Sequence, residues 1–551
     1  MHFPSFPALL HDYSGNLWNK GLRLALTVNG KKSFTKQRIL IAVDYLFFLM
    51  EKRMMRTAEI RLAEIRFWLN GRPQTVSVAP GLTTLELLND RLSLHGTKSS
   101  CNEGDCGACT VLIGQSKDGK ISYQAVNSCL YPAFRLHGRH LITVEGIAED
   151  KSLHPVQTAL LDEHGTQCGF CTPGFVMSML GLFLNNANPS SEDILAALEG
   201  NLCRCTGYDS IFKAALLLKK RLDTKQELLP AALRKVEKLM GKPEPVQFKE
   251  KDNREGYATL QCFLPASLNE LWKTVNTLSK EGNYKFLAGG TDLMVLANIQ
   301  HIRPQSLIEL GGISELDGIS LLRDNLSIGA NVTLTQLQND KHVQKHYPLL
   351  VKAIEQMAST QIRNSATLAG NIANASPVAD GATTLLALNA SVVLASAKND
   401  RIVRLAEFYH AYKQTALKQD EIIKAVLLPL PDKTEQFCSF VKSAKRQAVD
   451  ISGVVSALVL QHKNDKIISA ALSFGGVAAY PALAVKTSSF LKGKKLSPEL
   501  IEQAADLAQK EFKPISDIRG SQQYRSLLIK NHVIKHLKDF MESVHSAGRR
   551  S

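Results

Sequence analysis

The sequence predicts a multidomain α+β protein, and three observations carry that expectation. A chain of 551 residues, 44% hydrophobic and 21% charged, is ordinary globular material with room for about three or four domains. The spacing of apolar residues changes along it, from the two-residue period of strands near Ile65–Val78 to the helical period of Phe175–Leu184. Eight of its ten cysteines crowd between Cys101 and Cys205, which marks one part of the chain for soft-ligand chemistry.

Residues 1–60 form an N-terminal extension of unknown role. Residues 1–56 hold nine Lys and Arg against three acids, a large share of the formal +15. Elsewhere the surplus is spread as single lysines on polar faces, so it reads as solvated surface, or as a match for an acidic partner subunit, and no nucleic-acid partner is expected. The longest apolar run, ILIAVDYLFFLM at 39–50, contains Asp44 and is too short to span a bilayer. No small-x-small cleavage site follows it. No membrane partner is predicted, and unpaired thiols suit a reducing compartment, so a cytoplasmic location is expected. The stretch is read as an extension upstream of a start at Met54 or Met55, ahead of the alternative of a helical accessory segment.

Residues 61–148 read as a small α+β unit. Ile65, Phe67 and Leu69 alternate inward before Asn70-Gly71, then Val76 and Val78 follow: a hairpin with a primed turn. Thr83 can cap a helix with Leu85, Leu88 and Leu92 on one face. Next come Cys101, Cys106 and Cys109 in CNEGDCGACTVLI, and Cys129 in NSCLYP. This C-x4-C-x2-C…C spacing is the plant-type ferredoxin pattern for a 2Fe-2S cluster. Gly104 and Gly107 let backbone N–H groups turn towards the sulfurs.

Residues 149–225 read as helical. Cys168 and Cys171 in QCGFCTPG precede a helix with Thr172 as cap and Pro173 at its first position, and Ser190-x-x-Asp193 starts another. Cys203 and Cys205 in GNLCRCTGY come after it, so a four-helix arrangement would bring both loops to one cluster. Disulfides do not suit a long chain with this crowding. Structural zinc remains an alternative for the second group, although the helical spacer between Cys171 and Cys203 is long for a zinc knuckle. Residues 226–255 are charged and end Pro-rich, which reads as a linker with one short helix.

The remainder, 256–545, carries two glycine-bearing segments. In KFLAGGTD (Lys285, Phe286, Leu287, Ala288, Gly289, Gly290, Thr291, Asp292) a strand runs into paired glycines whose amides can approach a pyrophosphate. It lacks the G-x-G-x-x-G of a Rossmann site. In TLAGNIANASPVADG (Thr367, Leu368, Ala369, Gly370, Asn371, then Asp380) a close backbone approach is followed by a carboxylate able to accept from a ribityl or ribose hydroxyl. The plainer reading is that Asn371 and Asp380 cap helices. Cys262 and Cys438 read as small buried apolar residues.

The plant-type loop together with QCGFCTPG and GNLCRCTGY resembles the iron–sulfur part of the molybdenum hydroxylases, the xanthine dehydrogenase and aldehyde oxidase family. The resemblance covers about Glu64 to Lys538, and the domain order is most similar to the small subunit of two-subunit bacterial members. It implies a plant-type ferredoxin β-grasp domain at 61–148, a four-helix 2Fe-2S domain at 149–225, an FAD-binding domain of the vanillyl-alcohol-oxidase (PCMH) type at 256–432 and a CO dehydrogenase flavoprotein-like α+β domain at 433–545. By the same resemblance, Cys101, Cys106, Cys109 and Cys129 hold one cluster, and Cys168, Cys171, Cys203 and Cys205 the other. The two glycine segments and Asp380 contact FAD. Lys442, in the K-x-x-x-R-x-x-x-D-I segment, approaches the flavin, while Met357 stands where some members stack an aromatic ring on it.

The function implied is that of an electron-transfer subunit with no catalytic residue of its own. Electrons from hypoxanthine or xanthine would pass from a molybdopterin centre through the Cys168 group, near Gln167 and Cys205, then the Cys101 group, to FAD and NAD. No molybdopterin domain is seen before Ser551, so a large subunit carrying it is expected, in a heterotetramer of two small and two large chains. The same role with an aldehyde or another N-heterocycle is the alternative within the family. A zinc-binding scaffold module is the alternative outside it.

Overall fold

The computed structural model describes residues 63–548 except 118–119, 149–151, 223–227, 241–245, 250–260, 280–283, 303, 305, 433 and 464. The expected extension 1–60 lies outside the described residues.

Strands β1 (Ala63–Leu69) and β2 (Arg72–Val78) form the expected hairpin, with Asn70 at φ +50° and Gly71 at φ +80°. That primed turn matches the twist of the strands it joins. With β3 (Thr110–Lys117), β4 (Lys120–Asn127) and β5 (His140–Ile142) they build a sheet of order β2-β1-β5-β3-β4, in which β5 runs parallel to β1. Thr83 and Glu86 cap the short helix Thr84–Glu86 reciprocally, and the chain then widens into a π turn over Leu87–Arg91. Leu85 and Leu88 are buried and Leu92 packs at the edge.

Four helices follow: Pro155–Asp162, Thr172–Asn185, Ser191–Leu198 and Asp209–Arg221. Ser190 and Asp193 form the capping box that their spacing predicts. Thr172 differs from expectation, because Cys171 occupies the cap position and Thr172 is already helical. Its hydroxyl pairs instead with Thr166 Oγ1 at 2.7 Å, a partner that local sequence does not announce. The described part of 226–255 holds a short helix, Ala231–Arg234, as expected, and differs in adding strand β6 (Val246–Lys249), which pairs antiparallel with β7 (Gln261–Leu264).

The second half of the chain, expected to bind flavin, begins with that sheet, completed by β8 (Tyr284–Leu287) and β9 (Ser306–Glu309) in order β6-β7-β9-β8. A second sheet has the order β10-β11-β16-β12-β13, from β10 (Ile319–Leu321), β11 (Asn325–Gly329), β12 (Ser391–Ala395), β13 (Asp400–Arg404) and β16 (Ile422–Pro429). Between β13 and β16 the short strands β14 (Tyr409–Ala411) and β15 (Gln414–Thr415) make a ribbon. The helices Leu368–Asn374 and Asp380–Ala387 pack in the same core as these sheets. The last sheet, β17 (Glu435–Ser443), β18 (Val454–Lys463), β19 (Lys466–Gly475) and β20 (Ala482–Leu483), is covered by helices Pro498–Glu511 and Gln522–Gly548. No described helix is long and apolar enough to cross a membrane.

The final helix is pinned by a buried polar chain. His532 Nε2 lies 2.8 Å from Ser443 Oγ, and Ser456 Oγ lies 2.8 Å from both His532 Nδ1 and His536 Nε2. Burial holds His532 down to about 4. Below pH about 6.5 an unfolded chain takes up a proton that folded His532 refuses until about pH 4. Stability from this group is therefore complete above pH about 6.5 and falls as pH drops towards 4, by on the order of 3 kcal/mol. Thermal unfolding followed from pH 7.5 to 4.5 should show this loss, with a shallower slope in a His532→Asn variant.

Candidate functional site

The eight cysteines come together as two separate groups, each made of pairs. In the first, Cys109 Sγ and Cys129 Sγ are 3.3 Å apart, and Cys101 is hydrogen-bonded to Cys106. In the second, Cys205 Sγ and Cys168 Sγ are 3.5 Å apart, and Cys171 is hydrogen-bonded to Cys203. None is in a disulfide. Among the described residues, no three His, Cys, Asp or Glu side chains gather as they would around one ion. Sulfurs set in twos suit a two-iron cluster, where each iron takes two thiolates, better than a single tetrahedral zinc.

The loops are preshaped for thiolates. Gly104 and Gly107 have φ of +86° and +65°, and a Cβ on Gly107 would lie 2.4 Å from Gly200 O. A hydrogen bond from Cys101 lowers the Cys106 thiol to about 6. Burial raises Cys203, but hydrogen bonds from Thr206, whose Oγ1 lies 3.2 Å from the sulfur, help to hold it below the ordinary thiol range. Asn127 Nδ2 donates to Cys109 Sγ at 3.8 Å. Among the described residues each group thus has a side-chain donor on sulfur that is not itself a cysteine, a kind of bond that stabilises the more negative, reduced state of a cluster. Thr206→Val should lower the potential of the second cluster selectively, by on the order of 40 mV if the bond is worth about 1 kcal/mol more to the reduced form; a redox titration followed by EPR checks it. Thr206 and Asn127 were not singled out from the sequence, although each lies within two or three residues of a cysteine.

The groups differ in exposure. Cys109 and Cys129 are buried beside Leu85, Leu130 and Met294, whereas Cys168 and Cys205 are exposed. Around the exposed pair, Gln167 is open, and Phe170, Leu202 and Tyr208 are 46%, 45% and 44% exposed.

The glycine segments also meet. β8 ends at Leu287, just before Gly289-Gly290, and Gly290, at φ +78°, is the cap of helix Thr291–Ile299. A Cβ on Gly289 would lie 2.2 Å from Ser365 O, so only glycine fits against the backbone leading into Thr367. Thr367 caps the helix Leu368–Asn374 through Gly370 N–H at 3.0 Å, and a Cβ on Gly370 would meet only Thr367 Oγ1. Paired glycines that lead into a helix start suit a pyrophosphate. Lys285 is exposed, Phe286 and Ala288 are half-buried and Leu287 is buried. Asp292 is exposed and accepts from Asn374 Nδ2 at 2.8 Å, with desolvation by its neighbours raising its carboxyl.

Other expected flavin contacts have internal partners. Asn371 Oδ1 accepts from Ala382 N at 3.2 Å, reaching the first turn of the helix Asp380–Ala387 from the neighbouring helix, while the cap position itself is Ala379. Asp380, 8% exposed, accepts from Lys442 Nζ at 2.8 Å and Ser452 Oγ at 2.6 Å. Lys442 also donates to Gln356 O at 2.7 Å. Burial raises the Asp380 carboxyl, and Lys442 opposes that shift. Met357 is buried, with its Cε 3.4 Å from a Cβ built on Gly381. Cys262 is fully buried and Cys438 partly so, as expected of packing residues.

One short segment, 360–366, touches all of these regions. Thr360 Oγ1 donates to Ala196 O at 2.7 Å, and Gln361 Nε2 to Ser178 Oγ at 2.8 Å and Asn201 Oδ1 at 3.0 Å. Asn201 in turn donates to Gly107 O at 3.1 Å, while Leu202 N–H reaches Cys106 O at 2.9 Å. Ile362 packs against the cluster of Leu85, Cys109, Cys129, Leu130 and Met294. Arg363 bonds Glu199 at 3.1 Å and Asn364 bonds Ala125 O at 2.8 Å. Ser365 and Ala366 then press on Gly289. Asn298, on the helix that begins after Gly290, adds a hydrogen bond to Cys129 O at 2.8 Å.

Four family models match consecutive parts of the chain. They are a 2Fe-2S iron–sulfur cluster binding domain at 67–133, a 2Fe-2S binding domain at 143–216, the FAD binding domain in molybdopterin dehydrogenase at 258–431 and the CO dehydrogenase flavoprotein C-terminal domain at 439–540. Among curated proteins, xanthine dehydrogenase of Emericella nidulans is 31% identical over 500 residues, 81% of this chain and 36% of the relative. That of Oryza sativa subsp. japonica is 32% identical over 497 residues, covering 78% and 36%. The chain thus spans little more than a third of the length of these relatives. A solved carbon monoxide dehydrogenase from Hydrogenophaga pseudoflava, lacking the Mo-pyranopterin moiety of its cofactor, aligns with TM-score 0.48 and 26% identity over 50% of this chain and 95% of its own. With two 2Fe-2S domains, an FAD-binding domain and the matching C-terminal domain in succession, the chain belongs to the molybdenum hydroxylase family, whose iron–sulfur and flavin portion it carries.

Proposed function

We propose that this chain is the electron-relay subunit of a xanthine dehydrogenase, working with a molybdopterin-bearing large subunit in a heterotetramer of two small and two large chains, with NAD as final acceptor. The observation that carries the reading is the segment 360–366, which ties both cysteine groups and the Gly289 loop into one framework. In this reading Cys101, Cys106, Cys109 and Cys129 hold one cluster, and Cys168, Cys171, Cys203 and Cys205 the other. The segments 285–292 and 367–371 cradle FAD. When bound, these groups supply one-electron transfer and, at the flavin, collection of electron pairs for hydride delivery.

The chain's own residues supply direction. Cys168 and Cys205 lie at the exposed end, ringed by Phe170, Leu202 and Tyr208, an apolar face suited to a protein partner. Cys109 and Cys129 are buried on the side facing the flavin half, where Asn298 and Ile362 hold them. The names of the curated relatives support a purine as substrate.

The test is to isolate the chain with its large subunit and follow NADH formation with hypoxanthine or xanthine. Purine-dependent NAD reduction supports the proposal. Reduction by an aldehyde or another N-heterocycle, with none by a purine, would move the substrate within the family.

A further inference from the structure

Arg135 belongs to the ferredoxin-like part of the chain, on the one-turn helix Ala133–Leu136 that follows Cys129. Yet its buried guanidinium, 9% exposed, reaches into the flavin half. Nη1 donates to Gly289 O at 3.1 Å, and Nε lies 3.1 Å from Glu309 Oε1, facing it as a charge rather than as an aligned hydrogen bond. Its Cζ sits 4.9 Å over the ring of Tyr131, only two residues after Cys129. Glu309, the last residue of β9, is also buried, and its Oε2 accepts from Gly312 N at 3.2 Å. The strand ends are tied to each other as well, since Leu310 N–H donates to Leu287 O at 2.8 Å.

The Gly289-Gly290 turn is therefore held from two sides. The backbone of Ser365–Ala366 closes one side of Gly289. Arg135 fixes the other by engaging its carbonyl. A trans peptide is planar, so its C=O and the following N–H point in opposite directions. With the Gly289 carbonyl committed to Arg135, the Gly290 N–H is aimed away from Arg135. Gly290 itself sits at φ +78°, where the backbone has freedom to turn and an external hold sets its orientation.

We infer that Arg135 is a positioning residue for the flavin loop: across the domain boundary, it sets the peptide plane on which FAD binding at Gly289-Gly290 depends. The inference rests on reading Lys285–Asp292 as the FAD loop. It makes flavin affinity a property of the ferredoxin-like domain as well as of the flavin domain. A guanidinium suits the task because its fixed fork addresses a carboxylate and a carbonyl at once, which an ammonium on a flexible stem does not.

The experiment uses the full chain with both clusters reconstituted, stripped of flavin and titrated with FAD. Bound flavin is read by fluorescence, and iron content and thermal unfolding are followed in parallel. Arg135→Lys keeps a positive charge beside Glu309 but loses the second arm. It should unfold near the wild-type temperature with full iron, while its Kd for FAD rises about tenfold or more, as loss of a hydrogen bond made by a charged group implies. Arg135→Met combined with Glu309→Leu removes both charges, leaves neither buried alone, and should show the same loss of affinity. Arg135→Lys keeps the test decisive whatever the double variant does to folding. Wild-type FAD affinity in Arg135→Lys, with the wild type itself binding FAD, overturns the inference. A wild-type chain that takes up no FAD overturns the functional reading on which it rests.

Discussion

Lys442→Met is expected to destabilise the flavin half by roughly 3–5 kcal/mol, the usual cost of stripping one partner from a buried ion pair. The Lys442 and Asp380 side chains are 4% and 9% exposed and 2.8 Å apart. With the ammonium gone, the carboxylate keeps only the Ser452 hydroxyl, at 2.6 Å. Burial already raises its pKa against the pull of Lys442, so removing the ammonium pushes that carboxyl further up. Gln356 O loses its ammonium donor as well. Thermal unfolding measures the loss. A Lys442→Met/Asp380→Leu double variant should recover most of it, because an apolar pair of similar volume avoids the uncompensated charge. The double variant also tests the flavin roles of the pair. Flavin retention that recovers with stability means that neither side chain touches flavin; retention that stays low while stability recovers means that at least one of them does.

The second large effect concerns the two cysteine groups, which should fail independently and differently. Cys168→Ser is expected to remove about two of four irons per chain and leave the other cluster intact. Because Cys168 is exposed, the unfolding temperature should stay within a few degrees of wild type. Cys109→Ser should also remove about two irons, but at a buried site packed with Leu85, Leu130, Met294 and Ile362. There the loss reaches the flavin half through Ile362 and through the Asn298 contact to Cys129 O. A clear fall in unfolding temperature and weaker flavin retention are therefore expected for Cys109→Ser alone. Iron analysis, EPR of the reduced protein and flavin fluorescence distinguish the two outcomes.

What was legible in the sequence is what short-range chemistry determines. Asn70-Gly71 announces its turn because few other pairs accept positive φ at both positions, and Ser190 announces a helix because Asp193 completes the box. The cysteine spacing gives the grouping, since loops that present soft ligands need glycines such as Gly104 and Gly107 at fixed offsets. Thr172 misled because any Thr before Pro looks like a cap, while its true partner, Thr166, sits across a loop that the cysteines shape. Strand β6 was hidden in a charged stretch, and it exists because β7 offers an edge to pair with. The long helix Gln522–Gly548 was not foreseen either; its His532 and His536 look polar but are buried against Ser443 and Ser456.

The residues that join the sites were the least visible. Gln361 meets Ser178 across 183 positions of sequence, and Arg135 meets Gly289 across 154. No periodicity or local motif encodes such pairs, because their partners are backbone carbonyls and side chains brought close only by the packing of separate domains. Asp380 and Lys442 were each marked as flavin residues, but their pairing with each other became visible only in three dimensions.

The central claim is that this one chain holds two iron–sulfur clusters and a flavin. The most direct measurement is metal, acid-labile sulfide and flavin content after anaerobic reconstitution, with EPR of the reduced protein. The account predicts about four irons, four sulfides and one FAD per chain, with two distinct cluster signals. A chain that takes up zinc but no sulfide, and remains colourless, would contradict it.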